Sequence, residues 1–526
     1  MRLRKAVLAL FLAAVALGCG ASNPEHPDWL VLRLPAEMPH LNPITSTDAY
    51  SALLLDQIFD GLLDRDPQTL EMRPHVAESW DISDDHLVYT FHLRKDVLFS
   101  DGTPLTAHDV KFTFDKMMDS KTDAPHLRNY YQDVTSCEVL DDYTVRYTCC
   151  KPYYLHLVML GSLYIIPRHI YGEGDFNNHP NNSRPVGSGM YVLERWDVGQ
   201  QVTLARNERY WGGAVGKTAH FAKKIYRVIT DDNVAFQVLA AGDLDVMNVR
   251  AEDWERRAKT PSFDERFNKY TFYLPNFNYI GWNSRKPYFS EALVRRALTM
   301  MVDRERIRET VFYGHARTVS GVFMTGTPEN NEAIQPWPFD PAAAAQLLDQ
   351  AGWADTDRDG VRDKGGVPFQ FEILITNANP VAEQICTIAQ DEFRRAGVVM
   401  TIRPMEWASL LERVDSRNFD AILMGWAMTP DPDPYQIWHS SQIEKGSNYV
   451  GFNNPEGDRL IEEARVSFDR ARRIELYHRF HEMLHELQPY TFMFSPESLL
   501  AVDKRVGGVT IYPFGPDQRE WRLIQQ

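Results

Sequence analysis

The chain has 526 residues, a length that suggests about three domain-sized units. Hydrophobic residues make up 44% and charged residues 24%, a balance that excludes a disordered or fibrous protein. The net charge of −16 excludes a nucleic-acid binder, since phosphate contacts need a basic face, and it leaves the ligand class open.

Arg2, Arg4 and Lys5 precede an uninterrupted apolar stretch, Ala6 to Leu17, which has the form of a secretory signal peptide. That stretch falls short of the roughly 20 residues needed to span a bilayer. The segment Ala16-Leu17-Gly18-Cys19 resembles a bacterial lipobox, with Ala16 where Leu is more usual. The expectation is cleavage of residues 1–18, lipidation of Cys19 and an anchored, extracytoplasmic protein in the periplasm or at the cell surface. No later segment is long and apolar enough to read as a span. Such a compartment permits disulfides. Cys137, Cys149, Cys150 and Cys386 allow three complete pairings, and the sequence selects none.

The spacing predicts a strand over Trp29–Leu34, a Pro-containing loop over Pro35–Pro43 and a helix over Tyr50–Leu63. Two strands follow, Val88–Leu93 and Val97–Phe99, then a helix over Thr106–Met118 with Thr106 and Asp109 spaced as a capping box. Alternation on both sides of Asp141-Asp142 predicts a hairpin over Val134–Thr148, with Cys137 roughly opposite Arg146. Tyr191–Arg206 repeats that pattern around Gly199. The second half is more helical. Phe289–Val302 has one apolar face, Asp303 caps a short helix ending at Gly314, and Asp340-Pro341 to Ala351-Gly352 is capped at both ends. Strands at Phe369–Ile375 and Ala421–Trp426, a helix over Ala382–Ala396 and a helix over Arg470–Leu487 complete the reading. The alternation implies an α/β fold of more than one lobe, and the absence of a Gly/Ser linker implies lobes that share strands.

Several segments carry a resemblance. They are Leu41-Asn42-Pro43, Ala77-Glu78-Ser79-Trp80, the run Phe99-Ser100-Asp101-Gly102-Thr103-Pro104-Leu105-Thr106-Ala107-His108-Asp109-Val110, Pro185 to Tyr191, and Arg206 to Trp211. Further along come Asn283, Val294 to Leu298, Val302-Asp303, Gly425-Trp426 and Asp433-Pro434. In this order they resemble the family 5 extracellular solute-binding proteins, which include dipeptide- and oligopeptide-binding subunits of ABC importers. The resemblance implies the large periplasmic-binding-protein fold, with mixed sheets, two lobes joined by two crossing strands and a solute enclosed between them. On that plan one lobe covers residues 19–277 and 494–526, with an extra subdomain at about 46–185, and the other covers 278–493.

The same resemblance places the ligand site. Gly425, Trp426, Ala427 and Met428 are expected to offer a strand edge to an extended peptide, with Trp426 as a wall. His40, Leu41 and Asn42 are expected to face the same cleft. Peptide-binding members carry an Asp three residues after the Trp, which pairs with the α-ammonium. Here that position is Thr429, so Asp431 or Asp433, in the stiff Pro430–Pro434 run, is the candidate replacement. The missing carboxylate also keeps metal chelates, haem, opines, glutathione and oligosaccharides among the candidate solutes.

Two motifs suggest metals. His481-Glu482-Met483-Leu484-His485 matches a zinc-peptidase signature, but no supporting continuation follows, and Phe480, Leu484 and Leu487 put the histidines on the flank of the buried stripe. Asp355, Asp357, Asp359 and Asp363 with Gly360 resemble the start of a calcium loop, but Gly366 stands where the bidentate Glu belongs. The expected protein is a monomeric binding protein without cofactor or catalytic residues. It captures a short peptide or similar polar solute and delivers it to an ABC permease.

Overall fold

The computed structural model describes residues 28–377 and 379–524. The leader and the candidate lipidation site at Cys19 lie outside the described residues. Among these residues, an eight-stranded mixed sheet organises the first lobe. It runs Phe267–Tyr273, Phe494–Asp503, Val246–Asn248, Trp29–Leu34, Lys223–Val228, Gln201–Arg206, Tyr191–Asp197, and Ala316–Thr318 also pairs with Phe494–Asp503. Trp29–Leu34 sits inside the sheet because Leu30, Leu32 and Leu34 alternate into the core. A four-stranded sheet of Ala77–Ile82, Val88–Leu93, Thr144–Cys149 and Val134–Asp141 builds the adjoining subdomain. The second lobe holds a five-stranded sheet, in the order Val399–Met405, Gln370–Thr376, Ala421–Ala427, Asn276–Trp282, Tyr490–Phe492.

The chain passes between the large sheets twice, at Leu274-Pro275 and at Met493. Asn276 and Phe277 therefore already belong to the second sheet, where they pair with Ala427 and Trp426. The first crossing thus precedes the boundary expected after Phe277.

Local signals predict most elements closely. Asp109 accepts the Thr106 N–H at the start of the helix Ala107–Met118. Asp340 accepts the Ala343 N–H, and Gly352 takes the left-handed conformation just past the end of Pro341–Gln350. Three expectations change. The first helix is Ala49–Ile58, because residues 59–62 run as a buried connection into the strand Leu63–Arg65. Val97–Phe99 forms no ladder, only a bridge between Leu98 and Pro104 around the left-handed Gly102. Cys137 faces Tyr147, not Arg146, because the turn lies at Asp142-Tyr143, one residue later than expected, and a register shift between Val139 and Asp141 offsets only half of the displacement. Cys137, Cys149 and Cys386 are buried free thiols, and Cys150 is an exposed one.

Many signature residues serve the fold. The buried Arg295 guanidinium donates to Phe289 O, Leu487 O and Gln488 O, satisfying orphan carbonyls at the end of the helix Arg470–Leu487. Asn283 Nδ2 donates to Phe419 O at 2.7 Å. Gly187 and Gly189 let the chain lie against the end of the helix Ala49–Ile58, where Gly189 N–H donates to Ile58 O at 2.8 Å. A Cβ on Gly187 would collide with the Ile58 carbonyl. Gly187→Ala is therefore expected to destabilise the first lobe by about 1–3 kcal/mol, read as a lower midpoint in denaturant unfolding.

Candidate functional site

The strand Ala421–Ala427 pairs along its whole length with Asn276–Trp282. On its other side only Ala421 and Ile422 pair, with Ile373 and Leu374. From Leu423 to Ala427 no other strand among the described residues takes up that edge. Burial follows the pairing: Ala421–Leu423 are buried, while Gly425 and Ala427 are exposed. The second half of the strand is thus an open row of main-chain donors and acceptors, as the expected strand edge requires.

Trp426 is half-buried and lies parallel to Tyr279 at 6.3 Å and to Tyr449 at 6.0 Å between ring centroids. Its Nε1–H donates to Tyr490 Oη at 3.3 Å, and Tyr490 stacks on Tyr279 at 3.8 Å. Burial raises the hydroxyl pKa values of Tyr279 and Tyr490, so this wall stays neutral. Met428 N–H donates to Pro275 O, tying the end of the strand to the first crossing.

The loop that follows meets the first lobe. Arg65 Nη2 lies 2.6 Å from Asp431 Oδ2. Tyr153 Oη donates to Asp433 Oδ2 at 2.6 Å, and the Arg465 guanidinium lies over the rings of both Tyr153 and Tyr435. The hydroxyls of Tyr154 and Tyr477 both donate to Pro432 O, while Arg473 covers the Tyr154 ring. His86 stacks on Phe468 at 3.6 Å. The lobes are therefore in contact through a polar and aromatic seam.

This arrangement changes the expected roles of several residues. The Asp431 and Asp433 carboxylates are already engaged across the seam, so neither is offered as an ammonium clamp. Thr429 is exposed, and its Oγ1 donates to Asp431 O. Leu41 and Asn42 are fully buried and do not face a cleft. Leu41 N–H donates to Asn182 O, Asn42 Nδ2 donates to Asn182 Oδ1, and Asn42 Oδ1 accepts the Ile44 N–H. They brace the loop because these hydrogen bonds all close within the first lobe. His40 is half-buried, with Nε2 2.9 Å from Thr45 Oγ1. The sequence offered no signal for Arg65, Tyr153, Tyr154 or Arg465, since each gains its role only from a partner far along the chain.

Two cavities adjoin the seam. One, of about 310 Å³, is lined by Asp56, Arg65, Pro430, Tyr512, Asp517 and Arg519 among others. The other, of about 160 Å³, lies deeper in the first lobe. There Asp64 accepts from Lys217 at 2.6 Å and from Arg519 at 3.0 Å, and Asp60 accepts from His75, Ser188 and Trp211. Burial alone would raise the Asp64 pKa; the Arg519 and Lys217 cations outweigh it and hold the carboxyl well below the usual range.

The zinc-peptidase alternative does not hold. His481 is fully buried within the apolar stripe, not on its flank. Its Nδ1 accepts the Asn331 N–H at 3.2 Å, which leaves Nε2–H to donate to Ser320 Oγ at 3.1 Å. No ring lone pair is left for a metal. Burial also pushes this imidazole down to about 4. Glu482 accepts from Asn331, and His485 stacks on Trp337. Asp355, Asp357 and Asp359 are exposed and close enough to share a cation. Asp363 is not part of that group, because it accepts the Thr356 N–H and hydroxyl instead. Among the described residues, no helix is long and apolar enough to cross a membrane.

Comparison with known proteins agrees with this geometry. The model for bacterial extracellular solute-binding proteins, family 5 middle, matches residues 71–447. The oligopeptide-binding protein AppA of Bacillus subtilis is 32% identical over 529 residues, covering 96% of this chain and 95% of that protein. The structure of AppA from Bacillus subtilis in complex with a nonapeptide superposes with a TM-score of 0.83 at 30% identity, covering 96% of this chain and 100% of that one. NikZ from Campylobacter jejuni in complex with Ni(L-His) superposes with a TM-score of 0.82 at 26% identity, covering 94% and 99%.

Proposed function

Because the chain belongs to the family 5 bacterial extracellular solute-binding proteins, we propose that it captures a short peptide between its two lobes and delivers it to an ABC permease. It is a solute-binding protein, not an enzyme. The observation that carries the peptide reading is the open edge of Leu423–Ala427 beside the Trp426 wall. An extended peptide adding to that edge gains main-chain hydrogen bonds worth about 0.5–1.5 kcal/mol each, whatever its side chains. Gly425, Trp426, Ala427, Met428 and Thr429 are the proposed contacts from the second lobe. Arg65–Asp431, Tyr153–Asp433 and Tyr154–Pro432 are the proposed latch that holds the lobes together over the solute.

In this reading the protein is a monomer held outside the cytoplasm by a lipid on Cys19, where it meets the permease. Its resemblance to an oligopeptide-binding protein solved with a nonapeptide supports the peptide class. Thr429, which lacks the carboxylate of the peptide-binding pattern, favours a nickel–histidine type chelate as the second reading, and NikZ is a relative that binds one.

Mass spectrometry of the solute released by denaturing the purified protein separates the two. The expected result is one peptide or a set of peptides. A released metal chelate or haem, with no peptide, would replace the first reading.

A further inference from the structure

We infer that Asp56 receives a cationic group of the bound solute, an ammonium or a guanidinium, in the cavity at the seam between the lobes. The inference rests on the reading that the cleft takes a peptide, and it supplies the charge that Thr429 lacks.

The cavity of about 310 Å³ falls within the range of small-ligand sites, about 300–1,000 Å³. Its walls come from both lobes. The helix Ala49–Ile58 contributes Asp56, the turn after the strand Leu63–Arg65 contributes Pro67 and Leu70, and the second lobe contributes Pro430. Pro430 follows Thr429 directly, three residues beyond the open edge that ends at Ala427. At about 3.3 Å per residue, an extended ligand leaving that edge covers the distance within roughly three residues.

Charge accounting singles out Asp56. The charged residues of the lining are Asp56, Arg65, Asp517 and Arg519. Arg65 is paired with Asp431, and Arg519 with both Asp517 and Asp64. Asp56 is exposed and accepts only from neutral donors, Gln57 Nε2 at 3.1 Å and Tyr164 Oη at 3.2 Å. Among the described residues, it is the one charge of this lining with no opposite charge at ion-pair distance.

The carboxylate is also held in place. Because a carboxylate can only accept, the Gln57 amide is oriented with Nε2 toward Asp56, and its Oε1 accepts from Lys224 Nζ at 2.6 Å. Lys224 is buried, and burial pushes its pKa down to about 7, so it competes weakly with an incoming cation for Asp56. A held carboxylate in a cavity, with Arg519 and Lys224 acting on it only beyond ion-pair contact, is what a charge-assisted hydrogen bond to a ligand cation requires.

The test compares the wild-type chain with Asp56→Asn, which removes the charge, keeps one acceptor for Gln57 Nε2 and turns an NH2 toward Tyr164 Oη, which can accept it. Three alanine-based peptide sets are titrated: free N-termini, N-acetylated, and N-acetylated with one internal Lys. Asp56→Asn is expected to weaken binding of the free-amino set about ten- to hundredfold and to leave the acetylated set unchanged. If the Lys-containing acetylated set loses affinity and the free-amino set does not, the cation is a side chain. Equal affinity of wild type and variant for every set overturns the inference. If the wild type binds none of the peptides, the peptide reading falls. The cation site is then decided by titrating methylguanidinium, followed by NMR: shifts lost in Asp56→Asn support it, and a wild type without shifts overturns it.

Discussion

Replacing Asp433 with Ala is expected to lower the unfolding free energy by about 3–5 kcal/mol, the range for removing one partner of a buried ion pair. The Asp433 side chain is only 7% exposed and serves three groups. Its Oδ2 accepts from Tyr153 Oη at 2.6 Å and lies 3.2 Å from Arg465 Nε, and its Oδ1 accepts the Tyr435 N–H at 3.0 Å. Without the carboxylate, the Arg465 cation is left between two tyrosine rings with its charge uncompensated, at 4.4 Å from Tyr153 and 4.2 Å from Tyr435. The ring contacts recover only a part, about 0.5–2 kcal/mol each.

The loss divides between two processes. Arg465 and Tyr435 belong to the second lobe, so their share lowers the stability of that lobe whether the protein is open or shut. The Tyr153 bond crosses the seam, so its share weakens closure and with it solute affinity, by about tenfold or more for a charge-assisted bond. Denaturant unfolding reads the first share, and small-angle scattering of the solute-bound protein reads the second as a more open average shape. Asp433→Asn keeps an acceptor for Tyr435 and is expected to recover part of the stability. A midpoint unchanged by Asp433→Ala would show that the Arg465 pair within the second lobe carries no such energy.

Replacing Lys224 with Met is expected to stabilise the protein near pH 7 by about 1–3 kcal/mol, because the several kcal/mol of desolvating an ammonium exceed the roughly 1–3 kcal/mol of leaving Gln57 Oε1 without its donor. Lys224 is 1% exposed in the middle of the first sheet, with the neutral Gln57 as its hydrogen-bond partner and the Tyr191 ring 4.7 Å away. Burial lowers its pKa from 10.5 to about 7, against the opposing pull of Asp56 and Asp517. Between those values the unfolded chain holds one more proton than the folded protein, so stability rises as the pH climbs from about 7 toward 10.5. At lower pH the charge is buried and its cost is felt in full.

The variant lacks this dependence. Its advantage is expected to be largest near neutrality and to shrink as the pH approaches 10.5, where the wild-type amine is neutral in both states. Taking the difference between the two proteins at each pH cancels the tyrosines and thiols that titrate nearby. A variant less stable than wild type at pH 7, or a gap that stays constant with pH, would show that the ammonium is better compensated than the geometry indicates.

The sequence by itself determined the family, the α/β class and most of the elements. Those signals are local. Asp340-Pro341 starts a helix and Gly352 ends it through bonds a few residues apart, and the hairpin Tyr191–Arg206 pairs across its own turn. The motif Gly425-Trp426 likewise located the strand whose edge is open, because the pattern of a strand end is written in consecutive residues.

Only the tertiary structure decided which of the expected site residues are available. Leu41 and Asn42 carry the family pattern, yet Asn182, 140 positions away, takes up the Asn42 side chain. Asp431 and Asp433 looked free in a stiff acidic loop, but Arg65 and Tyr153, 366 and 280 positions earlier, hold them. Asp56 showed no signal in its own segment, and it stands out only because every other charge around one cavity is paired. Capping and alternation act over a few residues, so a chain of letters carries them. Whether a carboxylate is spent or spare depends on charges that folding brings from hundreds of residues away, and no local pattern encodes that.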